Sequence, residues 1–504
     1  MKNIIYLYKS LFCILLLLST SCQLTEDLDE YEPLYSLPGE TAISNQTSAE
    51  LALTGMYASL RQTSLGGFPH YTIVPSTLSG LDTGGLFSTG VEDRGFQSNN
   101  PDPTGTKTRA IYTNLYTLIN RANWVIEGTE KLVSSDFVNP ERQLEIIGEA
   151  KAMRATGHFY LLRLYGQFYD LTSEYGVVLN LVPAKDANPR PRNTVAETYT
   201  AILDDLEDAI VEAPNATNKY YASSVYAKGL KAKVLLYQGD YSQAALVAED
   251  VINNSGSNFG LMPTFGELFQ HDGANDYLNT LESLFNTYSD LDEGIGSGNF
   301  WDGIFANTSD TYYELGENGT MTINGQVIKH DATRIPYMQL GTPFNSSFNG
   351  NFKYKQRQGI NLYETHYHLR MAEIYLIYAE AEARRNTEVT IEALNALNAI
   401  RLRAGATTTG ADGFETYPTT ISYPEFLEAV RIEKLMELAT EMGEDFYDMV
   451  RYEILVTPTP SGEDFKVSMV NPTATNPDKF IIPIPETSII AGQGIVKQNP
   501  SYEQ

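Results

Sequence analysis

GEAKAMRATGHFYLLRLYG, residues 148–166, is the stretch that decides the fold. Apolar and small residues recur in it at alternating steps of four and three, the spacing that lines one face of an α-helix. Glycine and alanine on that face allow a second helix to approach closely. The pattern therefore predicts a long helix packed inside a helical protein. Its buried stripe consists of Ile146, Ala150, Met153, Gly157, Tyr160 and Leu164.

Similar stripes on both sides of this stretch predict at least eight helices. Several are preceded by a capping box, in which two side chains each satisfy an otherwise unpaired amide of the first helical turn. One of the last stripes predicts a helix that runs unbroken from Ile432 to Met442. The three capping boxes are Thr47 with Glu50, Thr194 with Glu197, and Ser422 with Glu425.

Two segments have the size of helix pairs, residues 222–254 and 369–404. In the first, Gly239 and Asp240 form a predicted turn, and Ala244 follows on a new helix. This turn resembles that of a tetratricopeptide repeat. The sequence thus predicts a mostly α fold with stacked helix pairs as its scaffold.

Two long regions break the helical pattern, residues 62–108 and 255–362. Both are rich in Gly, Ser, Thr, Asn and Asp, with aromatic residues among them. Regions of this length inside a compact protein usually carry function or small folds of their own. Residues 320–329 are a candidate for short strands, and residues 453–504 are irregular with many prolines.

The charge balance restricts the kinds of partner. The 504 residues include 35 Lys and Arg against 63 Asp and Glu, a formal net charge of −28. A surface this acidic repels phosphate backbones, so nucleic-acid binding is disfavoured. It also favours neutral ligands over polyanionic ones.

The N-terminus has the pattern of an export signal over residues 1–21, with lysines before a short apolar run. Ser19 to Ser21 precede Cys22 and resemble a bacterial lipobox, although Ser19 stands where leucine is usual. We expect Cys22 to carry lipid and residues 22–46 to form an acidic tether. The alternative is cleavage near Ser21 without lipid. The only other cysteine is Cys13, so the folded body has no thiol.

The motifs occur in the order and spacing of the SusD/RagB family, which the chain resembles over nearly its whole mature length. Residues 148–166 are similar to one of the family's more specific signatures. The other similar segments are residues 51–60 (LALTGMYASL), 116–126 (YTLINRANWVI), 192–210 (RNTVAETYTAILDDLEDAI), 368–383 (HLRMAEIYLIYAEAEA), 394–405 (LNALNAIRLRAG), 480–486 (FIIPIPE) and 498–502 (QNPSY).

One departure lies at residues 441–445, EMGED. The family commonly has an arginine-containing Glu-Gly-x-Arg at this place, between a Glu-Leu pair and an Asp-Leu-x-Arg. The flanking residues of this chain fit, but the arginine is missing. We therefore interpret the protein as a divergent member whose ligand does not follow from that of well-known members.

The resemblance implies a SusD-like fold with three parts. A helical part spans residues 47–254, a loop-rich ligand-facing insert with short strands spans 255–362, and a second helical part spans 363–504. Members are non-catalytic lipoproteins of the outer-membrane surface, each forming a lid over a SusC-like TonB-dependent transporter. Most bind oligosaccharides and a few bind peptides, so a peptide-binding lid is an alternative here.

Sugar binding requires flat aromatic faces beside hydrogen-bonding side chains, on loops held by a rigid scaffold. Trp301, in a glycine-rich stretch, is the foremost candidate. The alternative is that such rings pack the loops against the helices, as we expect for Trp124 in its amphipathic helix. The further candidates are Phe300, Asp302, Tyr312 and Tyr313 in the second region, and Tyr71, Phe87, Phe96, Asp82 and Arg94 in the first.

Other chemistries have little support in the sequence. His366 and His368 share a strand face but have no evident third metal ligand. The acidic residues near Asp290 lack the spacing of a calcium-binding loop. No nucleophile elbow, Walker A loop or dinucleotide fingerprint is present, so we expect no cofactor, no metal and no enzymatic activity. A secreted glycoside hydrolase is a further alternative, because any acidic chain contains many carboxylate pairs.

Overall fold

The computed structural model describes residues 41–61, 68–83, 90–215, 218–269, 279–289, 308–338, 340–341, 349–350, 353, 364–408, 413–454 and 467–502. The predicted signal and Cys22 lie outside these residues. The predicted mostly α fold is confirmed. No helix in the described ranges is long and apolar enough to cross a membrane.

The first half of the chain is built from eight helices in the described ranges. α5 lies at its centre and contacts both α4 and α6, while α1 packs against α4. The helices are α1 (Gln46–Leu60), α2 (Phe68–Ser79), α3 (Val91–Gln97), α4 (Thr106–Glu130), α5 (Glu141–Tyr165), α6 (Val195–Glu212), α7 (Ser224–Gln238) and α8 (Tyr241–Asn254).

The second half carries the strands and the remaining helices of the described chain. Its strands are β1 (Ser283–Ser289), β2 (Thr320–Ile323), β3 (Gln326–Lys329), β4 (Leu340–Gly341), β5 (Asn349–Gly350) and β6 (Glu364–Arg370). Its α-helices are α9 (Asp310–Tyr313), α10 (Met371–Asn386), α11 (Ile391–Arg403), α12 (Tyr423–Leu438), α13 (Glu444–Ile454), α14 (Val467–Val470) and α15 (Glu486–Ala491).

Two of the three predicted capping boxes are confirmed, those at Thr194 and Ser422. The first box was wrong by two residues. Asn45, not Thr47, caps α1, and its partner is Ser48. Glu50 instead binds the Arg142 side chain, with an Nε–Oε1 distance of 2.8 Å. The spacing of residues along the chain cannot reveal that Glu50 has a distant partner, so it predicted the capping box at the wrong residues.

The predicted helix from Ile432 to Met442 is also wrong in its extent. α12 ends at Leu438, and Thr440, Met442 and Gly443 have positive φ angles of 61°, 49° and 77°. A Cβ on Gly443 would lie 2.6 Å from the Pro75 side chain, so this turn approaches α2 very closely. The apolar spacing continues through the break because both sides of the turn are buried.

The helix pairs form as predicted. Gly239 ends α7 with a left-handed φ of 87°, and the Asp240 side chain accepts a 3.0 Å hydrogen bond from the Gln243 amide to start α8. α10 packs against α8, α11 and α12. The two pairs therefore stack on each other.

The motif residues of α5 join it to its neighbours. The Arg154 side chain donates to both carboxylate oxygens of Asp205 on α6, at 2.8 and 2.6 Å, and to the Asn123 side chain of α4 at 2.8 Å. A Cβ on Gly148 would meet the Ala213 amide at 2.3 Å. Arginine pairing and the missing side chain thus fix the close packing of three helices.

The C-terminal end folds back on the same helix. The Asn499 side-chain amide donates to the carbonyls of Tyr165 and Ile482, at 3.0 and 2.8 Å. Asn499 in turn accepts a 2.7 Å hydrogen bond from Arg192. These bonds give the asparagine of the terminal QNPSY segment its structural role.

Residues 320–329 form the predicted strands, as the hairpin β2–β3. Asn324 and Gly325 form its turn, with φ angles of 49° and 83°. β1 pairs antiparallel with β6, which leads directly into α10. The loop-rich insert is therefore attached to the helical scaffold by a two-stranded sheet.

Candidate functional site

The two predicted loop regions meet at one point of the scaffold. Asp82 and Thr308 form an antiparallel bridge, and the Ser309 amide donates to the Leu81 carbonyl at 2.8 Å. Residues 84–89 follow one side of this joint and residues 301–307 precede the other. The described residues that border these two segments, Thr83 and Thr308, therefore lie at the same joint. We refer to the surface at this joint as the loop face.

Four candidate residues, Phe300, Trp301, Asp302 and Phe87, lie outside the described residues, so their roles remain predictions. Arg94 is exposed on α3. Its α3 neighbour Phe96 is 1% exposed.

The other candidates are buried. Tyr312 and Tyr313, on α9, are 0% and 6% exposed, and their ring centroids lie 6.2 Å apart. Tyr71 is 3% exposed and packs 6.0 Å from Tyr160. Asp82, in the bridge itself, is also 3% exposed. Asp82 thus lies buried in the joint and Tyr312 and Tyr313 lie buried a few residues after it, and direct ligand contact by these side chains and by Tyr71 remains a prediction.

The first loop region is not irregular throughout. It contains α2 and α3, because Tyr71, Val74 and Leu78 have helical spacing that the surrounding Ser, Thr and Pro residues obscure. α2 packs against α13 in the scaffold. Loops on both sides of α2 are thus carried by a fixed helix.

A buried ionic network, missed by the sequence analysis, fastens the insert to α12. The Arg370 guanidinium contacts Glu282 at 2.6 Å, Glu437 at 2.5 Å and Glu441 at 2.6 Å. Lys353, from the insert, contacts Glu441 at 2.8 Å. All five side chains are at most 4% exposed. Because water is excluded, these charges depend on one another for stabilisation.

The network continues through a second arginine, Arg334, which belongs to the insert. It contacts Asp331 and Glu433 at 2.7 Å each, and Glu437 at 3.0 Å. Burial alone would raise the pKa of Glu437, but Arg403, Arg370 and Arg334 outweigh it and hold the pKa well below its usual range. Glu437 is therefore ionised and shared between the insert and the scaffold.

The departure at residues 441–445 belongs to the same buried system. Glu444 contacts Arg163 of α5 and Lys233 of α7, both at 2.5 Å. Burial opposes ionisation, yet these cations lower the pKa of Glu444 to about 2. Asp445 is different, since burial raises its pKa to about 7 and the Ser76 hydroxyl of α2 donates to it at 2.9 Å.

A small aromatic depression lies where α1 ends, at the start of the first loop region. Tyr57 and Tyr220 flank Tyr221, with centroid distances of 5.0 and 4.8 Å. The depression encloses about 90 Å³ and is also lined by Arg61 and Thr287. Tyr221 is 36% exposed, so its ring is available for a stacking contact at the edge of a larger ligand.

The histidine pair on β6 does not form a metal site in the described structure. The His368 ring lies within hydrogen-bond distance of two hydroxyls, Tyr160 at 2.8 Å and Thr287 at 3.1 Å. Burial lowers the pKa of His368 to about 3. No cluster of three or more metal-ligating side chains occurs among the described residues. The acidic residues near Asp290 lie outside them.

The structure is thus a scaffold of paired helices that supports two long loop regions, which meet at the bridge between Asp82 and Thr308. Comparison with known families narrows the class of protein. A sequence model described as "SusD family" matches residues 295–502, and one described as "Starch-binding associating with outer membrane" matches residues 91–236. The chain belongs to the SusD/RagB family.

Individual relatives agree with this assignment. A SusD-like protein of Bacteroides ovatus is 26% identical over 68% of this chain and 65% of its own, so the chain spans slightly less than two thirds of that relative. A SusD-like protein of Formosa agariphila is 25% identical over 98% of this chain and 99% of its own. The solved structure of a putative sugar binding protein from Bacteroides vulgatus is 23% identical and has a TM-score of 0.71, covering 92% of this chain and 100% of its own, which shows a shared fold.

Proposed function

We propose that the protein captures oligosaccharide or polysaccharide on its loop face and delivers it to a SusC-like TonB-dependent transporter in the outer membrane. The bridge between Asp82 and Thr308 supports this proposal, because it joins the two loop regions whose aromatic residues are the candidates for stacking on a sugar. The family description, which names starch binding and the outer membrane, supports the same reading.

The physical basis is a stacking platform on a rigid support. Aromatic rings pack against the C–H face of a pyranose, and nearby polar side chains bind its hydroxyls. The buried network around Glu437 fixes the base of the insert, so less ordering is needed when the ligand binds. The net charge of −28 favours a neutral glycan over a polyanionic one.

The same proposal places the protein at the exterior of the cell. Lipid on Cys22 would anchor it, and residues 22–46 would provide reach from the membrane to the lid position. The transporter supplies passage, so the lid itself needs no catalytic step. We expect the protein to co-purify with the transporter from cells. Cys22→Ala should abolish this co-purification, because it prevents lipid anchoring.

Calorimetry of the mature chain against starch, laminarin, xylan and alginate tests glycan capture. We expect binding to a neutral glycan without release of reducing sugar, weakened roughly 10- to 100-fold by Trp301→Ala, the size of effect seen when a central aromatic anchor is removed. The matched control is Trp124→Ala on α4, which replaces the only other tryptophan; its ring lies 5.8 Å from the Lys185 ammonium.

The outcomes separate the alternatives. Product release would indicate a glycoside hydrolase. Binding of peptides but of no glycan would indicate the peptide-binding lid. Equal loss in both tryptophan variants would show that Trp301 acts through folding and not through ligand contact, and would remove the loop face as the proposed site.

A further inference from the structure

A second pocket lies on another part of the scaffold, between α4, residues 178–190 and α15. It encloses about 290 Å³, and none of its lining residues belongs to either loop region. This volume is at the lower end of the range of small-molecule sites, about 300–1,000 Å³. The pocket is therefore large enough for the end of an oligosaccharide but not for a long segment.

One wall of the pocket is aromatic. Tyr112 and Tyr116, one turn apart on α4, are both half-buried, and their ring centroids lie 4.7 Å apart. The Tyr116 hydroxyl donates to the Val178 carbonyl at 3.0 Å, which fixes the ring against the pocket's loop. Part of each ring remains accessible for packing against a sugar face.

The opposite rim carries one acceptor and one donor of opposite charge, Asp186 and Arg190. Both are exposed. The Asn188 amide donates to Asp186 Oδ1 at 3.0 Å, and this bond is the main cause that lowers the pKa of Asp186. An anionic or a cationic ligand would be attracted by one of these groups and repelled by the other, whereas the hydroxyls of a neutral sugar can form hydrogen bonds with both.

The loop that leads to the rim is held in place before any ligand binds. The Asn123 side chain donates to the carbonyls of Asn180 and Val182, at 2.9 and 3.0 Å, and Arg154 donates to that of Leu181 at 2.8 Å. The Ala184 amide donates to the Asn120 side chain at 2.9 Å. Three α4 or α5 side chains thus preorganise this loop, which lowers the ordering cost of binding.

We propose that this pocket is a second carbohydrate site, which takes one or two rings of a neutral oligosaccharide between the tyrosine wall and the Asp186–Arg190 rim. It rests on the proposed glycan-binding function but not on the loop face. Two sites on one protein would hold a long glycan at two points, so that a glycan released from one site stays bound at the other.

Calorimetry with short sugars tests the site, because one trisaccharide cannot span two separate sites. The probes are maltotriose, laminaritriose and xylotriose, titrated into wild type, Asp186→Ala/Arg190→Ala, Trp301→Ala and the combined variant. The matched control is Lys228→Ala/Asp250→Ala, which removes an ion pair between α7 and α8, two helices that do not line the pocket. We expect two equivalents of one probe on wild type and on the control.

Either the pocket variant or Trp301→Ala should reduce the stoichiometry to one, with affinity at the pocket lowered on the order of 30-fold or more by loss of its charged hydrogen bonds. One equivalent on wild type, unchanged by the pocket variant, overturns the second site and leaves the loop face intact. Binding that the pocket variant abolishes and Trp301→Ala leaves unchanged overturns the loop face instead. A wild type that binds none of the three probes overturns the second site outright.

Discussion

Replacing Glu437 by glutamine should destabilise the protein more than its small change in shape suggests. The Glu437 carboxylate, 0% exposed, lies 2.5 Å from Arg370 and 3.0 Å from Arg334, and it also pairs with Arg403. Glu437→Gln keeps the side-chain volume and removes the charge. Three buried guanidinium groups would then share fewer carboxylates.

Removal of one partner from a buried ion pair typically costs about 3–5 kcal/mol, because the remaining charge stays without compensation in a dry interior. An exposed pair contributes roughly 0–1 kcal/mol. At roughly 2.1 cal/mol/K of unfolding entropy per residue, a chain of this size loses about 1 °C in Tm per kcal/mol. We therefore expect Glu437→Gln to lower Tm by about 3–5 °C.

Differential scanning calorimetry at pH 7 measures this change. The control is Glu174→Gln, which removes the carboxylate of an exposed pair with a 2.7 Å contact to Lys497. The control should shift Tm by no more than about 1 °C. If the two variants shift Tm equally, the network around Glu437 does not stabilise the fold and the reasoning is refuted.

The same variant has a defined pH dependence. The folded pKa of Glu437 is depressed, so its contribution is fully present above the unfolded value of about 4.3 and is lost as pH falls towards the folded pKa. The difference in Tm between wild type and Glu437→Gln should stay constant from pH 6 to pH 8. Below about pH 4 it should narrow as the wild-type carboxylate becomes protonated in the unfolded chain.

The effect of Asp445→Asn on Tm should depend on pH in the opposite sense. Burial raises the folded pKa of Asp445 to about 7, so wild type loses stability as pH rises from about 4 to 7. The variant should therefore melt at a higher temperature than wild type at pH 8 and at the same temperature at pH 4. Scanning calorimetry at both values measures this, and a variant that melts lower at pH 8 would show that the bond from Ser76 requires the charge. Thr194→Ala should cost about 0.5–2 kcal/mol, since its side chain caps α6 through the Glu197 amide at 3.1 Å. Urea unfolding measures it beside Thr200→Ala, an exposed change within α6 that should be neutral or stabilising; equal losses would contradict the capping argument.

The helices could be predicted because their signals are local. A capping box such as that of Thr194 and Glu197 operates within one helical turn, and the hairpin turn at Asn324 and Gly325 uses residues that tolerate positive φ. The helix pair around Gly239 follows from the same kind of signal. Where a distant side chain competes, as Arg142 does for Glu50, the local signal misplaced the helix start.

The candidate site was less predictable, because an aromatic residue in a polar stretch of sequence can either contact ligand or pack the loop against the helices. Tyr312 follows a Gly- and Asn-rich segment, yet it is 0% exposed and packs beneath the loop face. Nothing in its neighbourhood along the chain distinguishes a buried ring from an exposed one, since burial depends on elements far away in sequence. The bridge between Asp82 and Thr308 joins residues that no periodicity relates.

The departure at residues 441–445 shows how a missing arginine can be compatible with the family fold. Glu441 pairs with Arg370 of β6 and with Lys353 of the insert, and Glu444 pairs with Arg163 of α5 and Lys233 of α7. Acidic side chains at this turn are thus neutralised by the core that surrounds them. Asp445 is the exception, held beside Ser76 on the helix that carries the first loop region. The departure therefore contacts α2, the helix that ends shortly before Asp82 at the loop face, where we propose that the glycan binds.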